Sequence, residues 1–134
     1  MKTLLVLDDE SSVIKLLRHV LKEYALIEAT TAEQALRLFI GHGRQIDLLI
    51  ADVSLPTSSG IQVALLLRSE IPNLPVILTS GYGISEWSIR DSGDLERLDS
   101  SSMAILQKPF QPEVLRNAIC ELMGVPLPER ARTA

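Results

Sequence analysis

Three aspartates, a hydroxyl pair and a lysine stand where they could act together. Asp8 and Asp9 close one apolar run, Asp52 closes another, Thr79 and Ser80 end a third, and Lys108 follows a fourth. Carboxylates gathered in one place repel one another, and a hard divalent cation such as Mg2+ relieves the repulsion through oxygen coordination, with water completing the octahedron. Acids alone point to a metal site and no further. Lys108 and Ser80 add donors for anionic oxygens, which turns the chemistry toward a phosphoryl group carried at Asp52. A carboxylate can itself be the nucleophile for such a transfer. Taken singly, Asp8 and Asp9 read as solvated acids at a strand end, Asp52 as a turn residue and Lys108 as a surface lysine; only their combination carries the argument.

What must bring them together is a regular alternation of strand and helix. Apolar runs of strand length recur at Thr3–Leu7, Ala25–Ala29, 46–51, 75–79 and Met103–Gln107. Val13, Leu16, Leu17, Val20 and Leu21 fall on one helix stripe, with Ser11 or Ser12 available as N-cap. Ala32, Ala35, Leu36, Phe39 and Ile40 repeat the spacing; Thr31 and Gln34 form a capping-box pair, and Gly41 and Gly43 are expected to end that helix. Gly60–Glu70 is apolar around much of its circumference and stops before Pro72. Val114, Leu115, Ala118, Ile119, Leu122 and Met123 make the last helix, between Pro112 and Gly124. In the segment 81–102, Ile84, Trp87, Leu95 and Leu98 give only a broken helical pattern, interrupted at Gly93.

Strand then helix, five times over, implies an α/β domain: a five-stranded parallel sheet, doubly wound, with right-handed crossovers. Runs such as Leu4-Leu5-Val6-Leu7 do not alternate with polar residues, as strands buried on both faces should not. Ligands of such sheets bind beyond the carboxyl ends of the strands, where Asp8, Asp9, Asp52, Ser80 and Lys108 all fall.

Composition narrows the function. The 134 residues carry 13 Lys+Arg against 17 Asp+Glu, a net charge of −4, without the basic field that direct nucleic-acid binding needs. A single cysteine, Cys120, excludes an intramolecular disulfide and a cysteine zinc cluster, and reads as core filling. No apolar run approaches the length of a membrane span, and no cleavage site follows the N-terminus, so the expectation is a cytoplasmic protein without membrane insertion. His19 and His42 lie apart from the acids and read as solvated; Trp87 reads as core. Residues 124–134 are expected to be a flexible tail, too short for a further domain.

Asp8-Asp9-Glu10 after an apolar strand, Asp47 through Pro56 with Gly60, Pro75-Val76-Ile77-Leu78-Thr79-Ser80 and Lys108-Pro109-Phe110 resemble the receiver domain of two-component response regulators. The resemblance covers 1–123 and implies a flavodoxin-like sheet of order 2-1-3-4-5. It makes Asp52 the phosphoacceptor. Asp9 and Asp52 become direct ligands of Mg2+, with Mn2+ as a substitute, the Ser54 backbone carbonyl a third ligand, and Asp8 one that acts through water. Counting on from Pro75 puts the switch hydroxyl at Ser80, with the small Gly81 leaving room beside it. Lys108 pairs with a phosphoryl oxygen, Pro109 follows a cis peptide bond, and Ser54 and Tyr82 flank the site, where they tune hydrolysis.

The implied function is phosphorelay signalling. Asp52 takes a phosphoryl group from a sensor histidine kinase or a histidine phosphotransfer protein, and the change alters the choice of a downstream protein partner. A lone receiver, a receiver of a hybrid kinase and part of a longer regulator all fit, as does a phosphorylation-dependent dimer through the fourth-helix face. Two departures stand out: Ile105 occupies a position where the family often has an aromatic switch residue, and the interval from Ser80 to Lys108 is several residues longer than the resemblance implies. These motivate an alternative, a receiver-like protein-interaction module that works without phosphorylation. A Mg2+-dependent phosphatase of the haloacid-dehalogenase type fits less well, since Asp-x-Asp is missing after the first strand.

Overall fold

A computed structural model describes residues 1–42 and 45–124. Five strands alternate with five helices: β1 (Thr3–Leu7), α1 (Ser11–Val20), β2 (Ala25–Ala29), α2 (Ala32–His42), β3 (Leu48–Asp52), α3 (Gly60–Glu70), β4 (Val76–Ser80), α4 (Ile89–Glu96), β5 (Met103–Gln107) and α5 (Pro112–Met123). The strands form one parallel sheet in the order β2-β1-β3-β4-β5. Every residue of β3 and β4 is buried, which explains why their sequences run apolar without alternation.

Two strands start later than the apolar runs suggest. At β3, Ile46 and Asp47 precede the ladder: the Asp47 N–H reaches the Thr3 carbonyl, and its carboxylate accepts from the Thr3 N–H at 2.8 Å. At β4, Pro75 offers a carbonyl to Leu49 but has no N–H, so the strand opens at Val76. Both shifts carry the strands one residue further, so Asp52 and Ser80 are themselves the last strand residues.

The helices cover both faces. Leu5, Leu7, Leu49 and Leu78 pack with Ala35, Phe39, Ile61, Leu67 and Trp87 on the α2, α3 and α4 side. Leu4, Val6, Ile50 and Ile77 pack with Ile14, Leu17, Leu115 and Ile119 on the α1 and α5 side. Cys120 is buried, as its pattern implied.

Several helix details differ from the sequence reading. In α1 the N-cap is Glu10 rather than Ser11 or Ser12, and the buried face is Ile14, Leu17 and Leu21, which leaves Leu16 exposed. The helix meets the sheet on a line through Leu17, and Leu16 lies outside it. In α2 the Thr31 hydroxyl accepts from the Gln34 N–H at 3.1 Å, but the return arm of the box reaches the Thr30 N–H at 2.8 Å. Gly41 does not stop α2, which continues to His42, while Ile40 is 78% exposed despite its place on the expected stripe. Gly43 and 125–134 lie outside the described residues.

Gly93 does not interrupt a helix either; it sits inside α4, which Ser88 caps by accepting from the Asp91 N–H. Short 3-10 turns at Ile84–Glu86 and Ser100–Ser102 flank it and take up the extra length between β4 and β5. Arg68 of α3 ties the end of this insert down, donating to the carbonyls of Asp99 and Ser102 at 3.3 and 2.8 Å and to that of Leu74, ahead of β4, at 3.0 Å. The last helix ends as expected at Gly124, which has a left-handed φ of 66°.

Candidate functional site

The acids and the lysine converge at the carboxyl edge of the sheet. Asp8 follows β1 and Asp52 ends β3; they are 2% and 4% exposed. Lys108, just after β5, donates from Nζ to Asp8 Oδ2 at 2.8 Å, to Asp52 Oδ2 at 3.0 Å and to Glu10 Oε1 at 3.4 Å. The local chain fixes each partner. The Lys108 N–H donates to the Ser80 carbonyl at 2.7 Å, which continues the β4–β5 pairing by one residue, and the Lys108–Pro109 peptide is cis. Asp8 Oδ1 accepts from the Glu10 N–H at 2.9 Å, and Asp52 Oδ1 accepts from the Ser54 N–H at 3.0 Å.

Gly60 belongs to this arrangement although it touches no ligand. A Cβ at that position would lie 2.3 Å from the Asp52 carbonyl and 2.9 Å from the Ala51 Cβ. Only glycine lets the start of α3 close onto the end of β3, where the Asp52 backbone is held.

Burial pushes the Asp52 carboxyl above its usual range, and the charge of Asp8 adds to the rise; the bond from Lys108 opposes it without cancelling it. For Lys108, burial alone would lower the ammonium. The hydrogen bonds and charges of Asp8 and Asp52 outweigh it and hold the group above its usual value, so Lys108 is a fixed cation at neutral pH.

Among the described residues, Asp8, Glu10 and Asp52 can each offer an oxygen within 4.8 Å of the others, a hard all-oxygen donor set that fits a divalent cation. Glu10 was missed by the sequence reading; the only signal was a third consecutive acid. Asp9 is exposed and is not one of the three that converge. Ser54 lies beside Asp52, with its hydroxyl 3.5 Å from the Tyr82 hydroxyl. Ser80 is at the same edge, but its hydroxyl bonds with Tyr82 and Trp87 rather than with Asp52 or Lys108. No sequence pattern marked that contact. Trp87 is buried, as expected.

The model of the response regulator receiver domain matches residues 4–120, nearly the whole of this sheet and its helices. The chain belongs to that family. Its strand order is that of a receiver, a signal-transduction module of two-component systems. Among curated relatives, the response regulator GtcR of Aneurinibacillus migulanus is 35% identical over 113 residues, 83% of this chain and 43% of that protein. The alkaline phosphatase synthesis transcriptional regulatory protein PhoP of Bacillus subtilis is 35% identical over 113 residues, 83% of this chain and 44% of its own length. The chain thus spans less than half the length of these relatives. Among solved structures, the response regulator TrrA of Thermotoga maritima in complex with Mg2+ and BeF superposes with a TM-score of 0.73 at 29% identity, covering 91% of this chain and 99% of that one. A receiver domain from Clostridium thermocellum has a TM-score of 0.77 at 24% identity, over 92% and 95% of the two chains, and supports the fold. Among the described residues, no helix of this receiver is long and apolar enough to cross a membrane.

Proposed function

We propose that this receiver accepts a phosphoryl group on Asp52 from a phosphohistidine, carried by a sensor histidine kinase or a histidine phosphotransfer protein, and acts in a reducing compartment, the cytoplasm. The supporting observation is the buried Asp52 carboxylate bonded to Lys108, which simultaneously holds Asp8. Asp52 Oδ attacks phosphorus, the P–N bond breaks with its electron pair returning to the imidazole, and the new O–P bond makes an acyl phosphate. Lys108, already a fixed cation within reach of Asp52, pairs with a phosphoryl oxygen. Asp52, Asp9, the carbonyl of Ser54 and, through water, Asp8 would hold Mg2+ or Mn2+, with Glu10 close by. When bound, the cation offsets the negative charge of carboxylates and phosphoryl oxygens.

An apolar groove borders the site, lined by Val13, Leu16, Pro109 and Phe110 with Glu10 and Lys108 at its polar end. Exposed Leu16 gives a phosphodonor protein an apolar contact next to the acceptor. Incubation with phosphoramidate and Mg2+ followed by intact-protein mass tests the reading: a gain of one phosphoryl group, about 80 Da, that needs Mg2+ and is lost in Asp52→Asn supports it. An unchanged mass, with the fold intact, rejects it in favour of an interaction module that works without phosphate.

A further inference from the structure

The hydroxyl of Ser80 is fully engaged, and by groups outside the acidic cluster. Ser80 is 1% exposed. Its O–H donates to the Tyr82 carbonyl at 2.8 Å, while Oγ accepts from the Tyr82 N–H at 3.2 Å and from the Trp87 indole N–H at 3.2 Å. A serine hydroxyl has one proton to give and two lone pairs to accept with, so these three bonds exhaust it. It has nothing left for an anion on Asp52 until it turns.

Trp87 is a fixed donor. Its ring is buried in the same core as Val63, Leu78 and Leu98, and its backbone N–H bonds to the Ile84 carbonyl at 3.0 Å. The indole N–H also lies 3.4 Å from the Tyr82 carbonyl. If Ser80 departs, that carbonyl loses the serine proton and the indole loses the serine oxygen, and each is left facing the other. Release gives up the three bonds of the Ser80 hydroxyl, but the indole N–H and the Tyr82 carbonyl keep each other, and the Tyr82 N–H that loses Oγ belongs to a residue 48% exposed. Such a contact can open and close reversibly.

We infer that Trp87 is the positioning residue of Ser80, a buried indole latch that holds the hydroxyl in its own loop and lets go when Ser80 turns to an anion at Asp52. The inference rests on Asp52 being the acceptor, and it assigns a role to a residue beyond the acidic cluster.

Trp87 is the only tryptophan, so its indole N–H gives one side-chain resonance in a 15N-labelled protein. The probe is beryllofluoride with Mg2+, a stand-in for the phosphoryl group. In the wild type, the indole resonance should shift in step with the Ser54 amide as the probe binds. Trp87→Phe keeps the ring and removes the donor; it should tighten the apparent Kd for the probe about fivefold, the worth of one neutral hydrogen bond. In a Ser80→Ala background the same substitution should change nothing. A Ser54 amide that responds while the indole stays still overturns the latch and leaves the acceptor reading intact, as does an equal effect of Trp87→Phe in both backgrounds. If no site amide responds in the wild type, both readings fall.

Discussion

Asp52 is kept at a cost, and its pH dependence should show it. Burial raises its carboxyl above the ordinary 3.8, so the folded protein holds that proton more tightly than the unfolded chain does. The stability this contributes is fully present below 3.8 and is lost as pH rises through the folded value. Asp52→Asn carries no charge at any pH, so in EDTA its unfolding free energy should gain on the wild type between acid and neutral pH, as read by urea denaturation across that range. Lys108 is the reverse case. Lys108→Ala leaves Asp8 and Asp52 facing each other without a cation, and the fold should lose about 1–3 kcal/mol in EDTA. Added Mg2+ should restore part of the loss. The convergence of Asp8, Asp52 and Lys108 was legible because, though each has an ordinary reading alone, the ends of parallel strands all meet at one edge. Glu10 and the Trp87 contact were not, since neither spacing nor residue type says that a side chain will turn back on its neighbour.

At the scale of elements, α3 is the piece that presses against the Asp52 backbone. Gly60→Ala would put a methyl carbon against the Asp52 carbonyl, and overpacking of that kind should cost about 1–3 kcal/mol in thermal or chemical unfolding and slow phosphorylation by phosphoramidate in the folded fraction. Arg68 does for the insert between β4 and β5 what burial does elsewhere. Arg68→Ala removes three bonds to carbonyls and should speed amide hydrogen exchange of the segment 99–103 more than that of β1 or β3. Strands β1, β3 and β4 were legible because burial on both faces demands unbroken apolar runs. The insert was hard to read because α4 has no fully buried residue and Ile89, an apolar residue at its start, is 93% exposed, so there is no stripe for periodicity to detect. Leu16 and Ile40 misled for a related reason: spacing gives a helix face about as wide as its apolar residues, while packing uses a narrower one.

The molecule as a whole is a two-cored sheet whose carboxyl edge gathers residues 56 to 100 positions apart, as the Lys108–Asp52 and Lys108–Asp8 bonds show. Parallel pairing makes that convergence automatic, because every strand delivers its C-terminal residue to the same edge. The strand order follows from the family resemblance rather than from the residues, since apolar runs do not say which strand is whose neighbour. A cation that binds only the folded edge should raise the unfolding temperature with concentration, and the rise should shrink in Asp52→Asn. The central claim is that one carboxylate carries the phosphoryl group. Borohydride reduction of the protein after phosphoramidate and Mg2+, followed by peptide mapping, converts an aspartyl phosphate into homoserine at the residue that bore it. The conversion is expected at Asp52; homoserine at Asp8 or Asp9, or none at all in a protein that stays folded, would contradict the account.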